Sequence, residues 1–194
     1  MFHVKQNDQL ELLQRLVERW NPRINLVSRA DVADLRQRHI EDSAQLLPLL
    51  PDGDGPAADL GSGAGFPGLV LAILTQRPWH LVEVDRRKAA FLAAAAGELG
   101  LDHVRIHVAR IEDVVLPPLA LVTARALAPL PELLAHAARL LAPEGVALFP
   151  KGRAAQDELT AARAGWHMAV EEFPSRTNGA STILRISGIR RAGP

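Results

Sequence analysis

The chain contains no cysteine, only three lysines and no net charge, since 22 Lys+Arg balance 22 Asp+Glu over 194 residues. Each absence excludes something. Without cysteine there is no disulfide framework, no thiolate-bound zinc or iron–sulfur cluster and no thiol nucleophile, which fits a cytoplasmic address. No apolar run reaches the roughly 18 residues a membrane helix needs, because LVLAIL and FLAAAA soon meet polar residues. The opening MFHVKQNDQLELL shows no basic-then-apolar signal pattern, so a membrane or secretory role is not expected. Zero net charge argues against a protein that coats nucleic acid by bulk electrostatics. The charge is unevenly spread, however: residues 1–54 carry 7 basic and 9 acidic groups, 55–138 carry 7 and 8, and 139–194 carry 8 and 5. Because only Lys5, Lys88 and Lys151 are lysine, nearly every cation can make a planar, two-point contact to phosphate or carboxylate. A genome biased toward Arg and Ala codons would give the same preference.

What is present, 48% hydrophobic and 23% charged residues, is the composition of one ordinary globular domain with room for a small appendage. Leu10, Leu13, Leu16/Val17 and Trp20 recur at helical spacing after the candidate caps Asn7 and Asp8, and Asn21-Pro22 is expected to stop that helix. A second helix is expected after Asp31, with Val32, Leu35, His39, Ser43, Leu46/Leu47 and Leu50 on one side, ending by Pro51. PDGDGP at 51–56 reads as a connection, which divides the chain into a helical extension, 1–54, and a second unit, 55–194. Beyond it, short apolar runs alternate with helical stretches, the signature of an α/β fold with a mostly parallel sheet. Strands are expected near 57–60, 80–84, 104–108, 119–123 and 145–149, with helices from Gly68, over 86–99, from Pro129 to Leu141 and over 153–164. Pro143-Glu144-Gly145 reads as a turn. The runs 167–173 and 182–189 have no helix between them and predict an antiparallel pair at a sheet edge.

The densest signal is Asp59-Leu60-Gly61-Ser62-Gly63-Ala64-Gly65-Phe66-Pro67-Gly68, placed between a strand and a helix. Glycine permits positive φ and close approach of a ligand, and the helix start offers unpaired N–H groups. A plain turn needs one glycine, and each surplus one costs roughly 1 kcal/mol. GAGFPG at 63–68 also fits the dinucleotide pattern, but Asp59 ahead of the glycines would repel a pyrophosphate. It would favour a ligand with a cationic amino-acid portion, and Pro67 removes a donor that a phosphate would want. S-adenosylmethionine meets both conditions. Glu83, at the end of the second strand, stands where an acid can bond both ribose hydroxyls, while Asp85 caps the next helix. A surface carboxylate without a ligand is the competing reading for Glu83. The stretch Ala109-Arg110-Ile111-Glu112-Asp113 could flank an adenine. Arg125 ends the fourth strand and Lys151 and Arg153 follow the fifth, so all three face the cleft at the strands' carboxyl ends. Solvated surface is the competing reading for Arg153. Of the 7 histidines (3, 39, 80, 103, 107, 136 and 167), none has the spacing of a metal pair on a helix, His103 and His107 flanking a strand, so no metal is expected. Ser62 lacks the GxSxG frame of a nucleophile.

These residues together resemble the ribosomal RNA small subunit methyltransferase G family, also called glucose-inhibited division protein B. WNPRINLVS (20–28), RHIEDS (38–43), DLGSGAGFPG (59–68), RRKAAFL (86–92) behind Glu83, TARALAPL (123–130) and FPKG (149–152) appear in family order. The resemblance implies a class I S-adenosylmethionine-dependent methyltransferase fold with a small N-terminal helical extension. It also implies methylation of N7 of one guanine in the decoding-region loop, the 527 region, of 16S ribosomal RNA. Carried over by residue, cofactor contacts fall on Gly61, Phe66, Glu83, the backbone of Ile111 and Glu112, and Arg125; substrate contacts fall on Arg125, Lys151 and Arg153. The tail TNGASTILRISGIRR and residues 84–88, VDRRK, depart from the family pattern, which bears on substrate contacts more than on the cofactor site.

Guanine N7 carries a lone pair and no proton, so no general base is expected and catalysis would rest on positioning and electrostatics. The absence of cysteine adds that the methyl group would move directly. The substrate is expected to be 16S ribosomal RNA or a small ribosomal subunit precursor, with the base exposed in a loop. Arg23, Arg29, Arg36 and Arg38 would add contacts from the extension. Three other readings differ in one observable each: a small-molecule methyltransferase would not modify RNA, a ribosome-assembly protein without activity would not bind S-adenosylmethionine, and an oxidoreductase would bind NAD.

Overall fold

A computed structural model describes residues 4–193; His3 lies outside the described residues. Strands β1 (Ala57–Leu60), β2 (Trp79–Val82), β3 (Val104–His107), β4 (Leu119–Ala124) and β5 (Leu141–Lys151) run parallel to one another. With β6 (Trp166–Pro174) and β7 (Thr182–Arg191), where β7 runs antiparallel to both β5 and β6, they form one sheet in the order β3-β2-β1-β4-β5-β7-β6. The order reverses between β1 and β4, so the carboxyl ends of these two strands open a crevice between diverging connections.

Period-two alternation sorts the strand residues between two cores. Ala57, Leu121, Val146 and Leu148 join one cluster, whereas Ala58, Val122, Ala147 and Phe149 join the other. The first core is closed by helices α1 (Val4–Ile24), α4 (Gly68–Leu74) and α5 (Arg86–Glu98), and the second by α6 (Leu130–Leu140) and α7 (Ala155–Arg163). Helix α4, GLVLAIL, is buried at every position, which is why it shows no polar face. The N-terminal segment shares this core: Leu10, Leu13, Leu35, Ile40 and Leu46 pack in one cluster with Leu69, Ile73 and Phe91.

Five expectations need correction. Helix α1 begins before Asn7 and Asp8, so neither caps it, and it continues through Pro22 to Ile24. A proline in the last turn forfeits only its own N–H bond; Asn25, at φ 51°, donates to the Asn21 carbonyl at 2.9 Å, and the Asn21 side chain accepts from Val27 at 2.9 Å. The expected second helix is not continuous. It breaks into α2 (Arg29–Val32), a π-helical turn (Arg36–Glu41), α3 (Asp42–Ala44) and a 3₁₀ turn (Leu47–Leu49). Its cap is Ser28, whose hydroxyl accepts from Asp31 N at 3.2 Å, and not Asp31. Finally, Pro143-Glu144-Gly145 does not separate helix from strand but forms an irregularity within β5, where Leu119↔Leu141 gives way to Leu121↔Val146. The antiparallel pair, by contrast, lies where the tail predicts, with β6 at the edge and β7 against β5.

Candidate active site

Two cavities open at the carboxyl ends of the parallel strands, one on each side of the loop that follows β4. The smaller, of about 400 Å³, is lined among others by Gly61, Gly63, Glu83, Ile111, Glu112 and Arg125. The larger, of about 850 Å³, is walled by the Arg125–Pro129 loop, by Lys151 and Glu158, and by Asp42, Gln45 and Thr177. Arg125, Ala126 and Leu127 line both and so form the partition between them.

The glycine loop is shaped by its ends. Gly61 N and Ser62 N donate to the Val82 carbonyl at 2.9 and 3.0 Å, continuing the β1–β2 ladder one step past the strand. Gly61 has φ +66°, and a Cβ there would come within 2.6 Å of Leu127 Cδ1, so the partition packs directly on the loop. Glu83 is buried at the end of β2 and joins two backbone segments. Its Oε2 accepts from Gly63 N and its Oε1 from Asp85 N, each at 2.8 Å. A carboxylate offers about four lone-pair sites, so Glu83 keeps acceptor capacity toward the cavity. Asp85 caps α5, accepting from Arg87 N at 2.8 Å and Lys88 N at 3.3 Å, as its position predicts.

Asp59 does not do what its place before the glycines predicts. It lines neither cavity; its carboxylate turns into the first core, where Oδ1 accepts from the Thr123 hydroxyl at 2.8 Å and Oδ2 from Gly68 N at 3.3 Å. A side chain on a strand covered on both faces must enter one of the two layers, and here the start of α4 receives it. Burial pushes the carboxyl up to about 6, against the opposing bonds from Thr123, Ser62 and Gly68. The folded state therefore holds the proton more tightly than the unfolded chain, whose value is 3.8; the associated stability is fully present below 3.8 and is lost as pH rises through about 6. Asp59→Asn should remove that slope, so the stability difference between wild type and variant, read from urea melts, should fall by roughly 2.5 kcal/mol from pH 4 to pH 7. Parallel pH profiles would refute the assignment.

Phe66 likewise stays out of both cavities. Its ring is buried, stacked on His39 at 5.0 Å, with the Arg125 guanidinium 5.6 Å from its centroid. Arg125 donates to His39 Nδ1 at 2.7 Å and to Asp42 and the Arg38 carbonyl at 3.3 Å each. Lys151 is not a free rim cation: Nζ donates to the Ala128 carbonyl at 2.8 Å and to Glu158 at 2.7 Å. Glu158 also accepts from Leu130 N at 2.6 Å, so the pair holds the partition loop to the start of α6. Arg153 is exposed in the next turn, outside the lining of either cavity. Arg23, Arg29, Arg36 and Arg38 are exposed, and of these Arg38 reaches the larger cavity while pairing with Asp31 at 2.9 Å.

Sequence reasoning missed the floor of the larger cavity. Asp42 Oδ1 accepts from Gln45 at 2.8 Å and Thr177 at 2.5 Å, and Gln45 Oε1 accepts from Arg176 N at 2.8 Å. The polar residues of RHIEDSAQ and SRTN carried that signal only in retrospect, because 130 residues separate Gln45 from Ser175. His107, considered with His103, instead meets His80 at 2.9 Å across β2 and β3. Among the described residues no group of three or more His, Asp or Glu side chains is gathered to hold a metal ion, and no helix is long and apolar enough to cross a membrane.

The sequence profile of GidB, rRNA small subunit methyltransferase G, matches residues 6–182. The chain belongs to the rRNA small subunit methyltransferase G family. Within this family it is 57% identical over 188 residues to the ribosomal RNA small subunit methyltransferase G of Acidiphilium cryptum, covering 94% of this chain and 85% of the relative. To that of Rhodospirillum centenum it is 53% identical over 186 residues, covering 96% and 86%. Among solved structures, the ribosomal protein L11 methylase of Lactobacillus delbrueckii subsp. bulgaricus superposes with a TM-score of 0.65 at 16% identity, covering 77% of this chain and 78% of that one. M. jannaschii TYW2 in complex with AdoMet superposes at 0.61 and 15%, covering 79% and 76%. At such identities the likeness is one of fold, the class I methyltransferase fold.

Proposed function

We propose that this family member transfers a methyl group from S-adenosylmethionine to N7 of a guanine in the 527 region of 16S ribosomal RNA. The observation that carries the reading is the pair of cavities sharing one wall at Arg125–Leu127, one suited to a methyl donor and the other to an acceptor. The smaller cavity fits the donor: its volume of about 400 Å³ is ordinary for a small-molecule site, its floor presents Gly61 and Gly63, and the buried Glu83 retains acceptors for a ribose diol. S-adenosylmethionine, when bound, supplies a methyl group on a positively charged sulfur.

The chain's residues act by position. Glu83 and the backbone at Gly61, Ile111 and Glu112 hold the donor, and Phe66 supports Arg125 from beneath. Arg125 and Leu127 separate donor from acceptor, and the larger cavity takes the exposed base. Since N7 needs no deprotonation, no side chain has to remove a proton, and alignment lowers the barrier. Lys151 and Arg153 serve the RNA side, Lys151 by holding the partition loop and Arg153 from the exposed turn. We keep the division at residue 54 as a functional one: the extension supplies Arg38, Asp42 and Gln45 to the acceptor side. The substrate we place in the cytoplasm, as 16S RNA in an assembling small subunit.

The reading is tested by incubating the protein with S-adenosylmethionine and either unmethylated 16S RNA or small subunits lacking the modification, then mapping N7-methylguanine. Methylation in the 527 region is expected; its absence from both substrates would remove the assignment. Lys151→Ala should cut the rate about tenfold or more through the released loop, with the dissociation constant for S-adenosylmethionine changed less than about threefold. Equal losses in both would place Lys151 on the donor side.

A further inference from the structure

Among the described residues, the hydrogen bonds that hold Arg125 come from one side. Every side-chain or carbonyl acceptor bonded to its guanidinium comes from the turn Arg38–Asp42: the Arg38 carbonyl and Asp42 Oδ2 take Nη1, and His39 Nδ1 takes Nη2. Arg38 and His39 lie in the π-helical segment Arg36–Glu41, a wider coil that recurs at functional sites, and Asp42 follows it directly. A guanidinium has only donors, so His39 must present a lone pair at Nδ1 and carry its proton on Nε2. Nε2 is buried, has no hydrogen-bond partner among the described residues and lies 3.9 Å from Asp31 Oδ2. The ring's flat face is fixed against Phe66 at an interplanar angle of 17°. With Nη1 and part of Nη2 engaged, Nε–H and the second Nη2–H remain for the two cavities that Arg125 lines.

We infer that His39 is a positioning residue for the methyl-transfer site: its neutral, Nε2-protonated ring, clamped on Phe66, aims the Arg125 guanidinium at the boundary between donor and acceptor cavities. The charges facing the ring are consistent with that state. Burial, the largest influence, takes His39 down to about 4, with Arg125 and Arg38 acting in the same direction and Asp31 and Asp42 opposing them. The inference rests on the methyltransferase reading for its kinetic test but not for its spectroscopic one.

The test is a double-mutant cycle with His39→Phe, which keeps a flat ring on Phe66 and removes the acceptor. In the wild-type background it should lower kcat/KM for RNA about tenfold or more; in an Arg125→Ala background it should add less than about threefold. His39→Asn, which restores an acceptor near the Nδ1 position, should recover most of the loss. Equal losses in both backgrounds would reduce His39 to a core residue and overturn the inference, as would failure of Asn to improve on Phe. Should His39→Phe fail to fold, a long-range ¹H–¹⁵N spectrum of the wild-type protein decides instead. It should show Nδ1 unprotonated with titration well below 6.5, moving toward 6.5 in Arg125→Ala. Protonated Nδ1 would end the proposal. If wild-type protein methylates no RNA, the substrate reading fails while the spectrum still judges His39.

Discussion

Glu83→Gln should weaken S-adenosylmethionine binding about 100-fold, a loss of roughly 2.7 kcal/mol, measured by calorimetry. Glu83 accepts from Gly63 N and Asp85 N at once, one on each oxygen. An amide of the same shape can satisfy only one of them and turns an NH₂ group toward the other donor. The loop would then lose the bond that holds Gly63 over the end of β2, and the ligand would lose an anionic acceptor. Hydrogen bonds to a charged group are worth about 1.5–3 kcal/mol each, which sets the scale. The matched control is Glu112→Gln. Glu112 lines the same cavity, but its side chain is more than half exposed and reaches Arg110 only at 3.5 Å. We propose that its cofactor contact is through the backbone alone, so binding should change less than about threefold. Similar losses in the two variants would mean that overall negative charge, and not the Glu83 bridge, governs binding.

The largest stability effect is expected from Gly68→Ala. A Cβ at Gly68 would sit 2.5 Å from Leu81 Cδ2, 2.7 Å from Asp59 Oδ2 and 2.8 Å from Asp59 Cβ. Those neighbours belong to β1 and β2 at the centre of the sheet, and Leu81 and Asp59 are both buried, so they have little room to retreat. The new methyl would also break the bond from Gly68 N to Asp59. Overpacking in a dense core costs typically 1–3 kcal/mol, and with the lost hydrogen bond the total should approach about 3 kcal/mol. For a domain of this size that corresponds to a melting temperature lowered by roughly 6–12 °C. Gly97→Ala is the control: nothing lies within 4 Å of a Cβ placed there, and alanine has the higher helix propensity in this last turn of α5, so the variant should melt at or above the wild-type temperature. Equal melting of both variants would show that the start of α4 can move away from the sheet.

Local signals determined most of the fold. Short apolar runs bounded by turns located β1 to β4 to within about two residues; β1, β2 and β4 are buried on both faces and read as nearly continuous hydrophobic segments, whereas β3 leaves Arg105 exposed. The same reading failed over residues 29–50. There the spacing of Val32, Leu35, His39 and Ser43 is helical, yet the backbone breaks into short turns held by bonds to distant groups, such as Asp42 to Thr177 and Gln45 to Arg176 N. Periodicity reports which face is buried, and several kinds of coil can bury the same face. Asp59 failed for a different reason: charge and position place a carboxylate near the glycines, but the layer a strand residue enters depends on register.

The sequence alone determined the class of the protein. A glycine-rich turn after a strand, an acid at the end of the next strand and the segments shared with the methyltransferase G family specify backbone geometry and chemistry that depend on residues adjacent in the chain. Only the tertiary structure decided how the cations are used. Arg125, Lys151 and Arg153 look alike as positively charged residues after strands, yet one is aimed by a neutral histidine, one ties down the partition loop and one faces solvent. The strength of a charge's interactions depends on its partners and its solvation, and both are set by segments that meet only when the sheet closes.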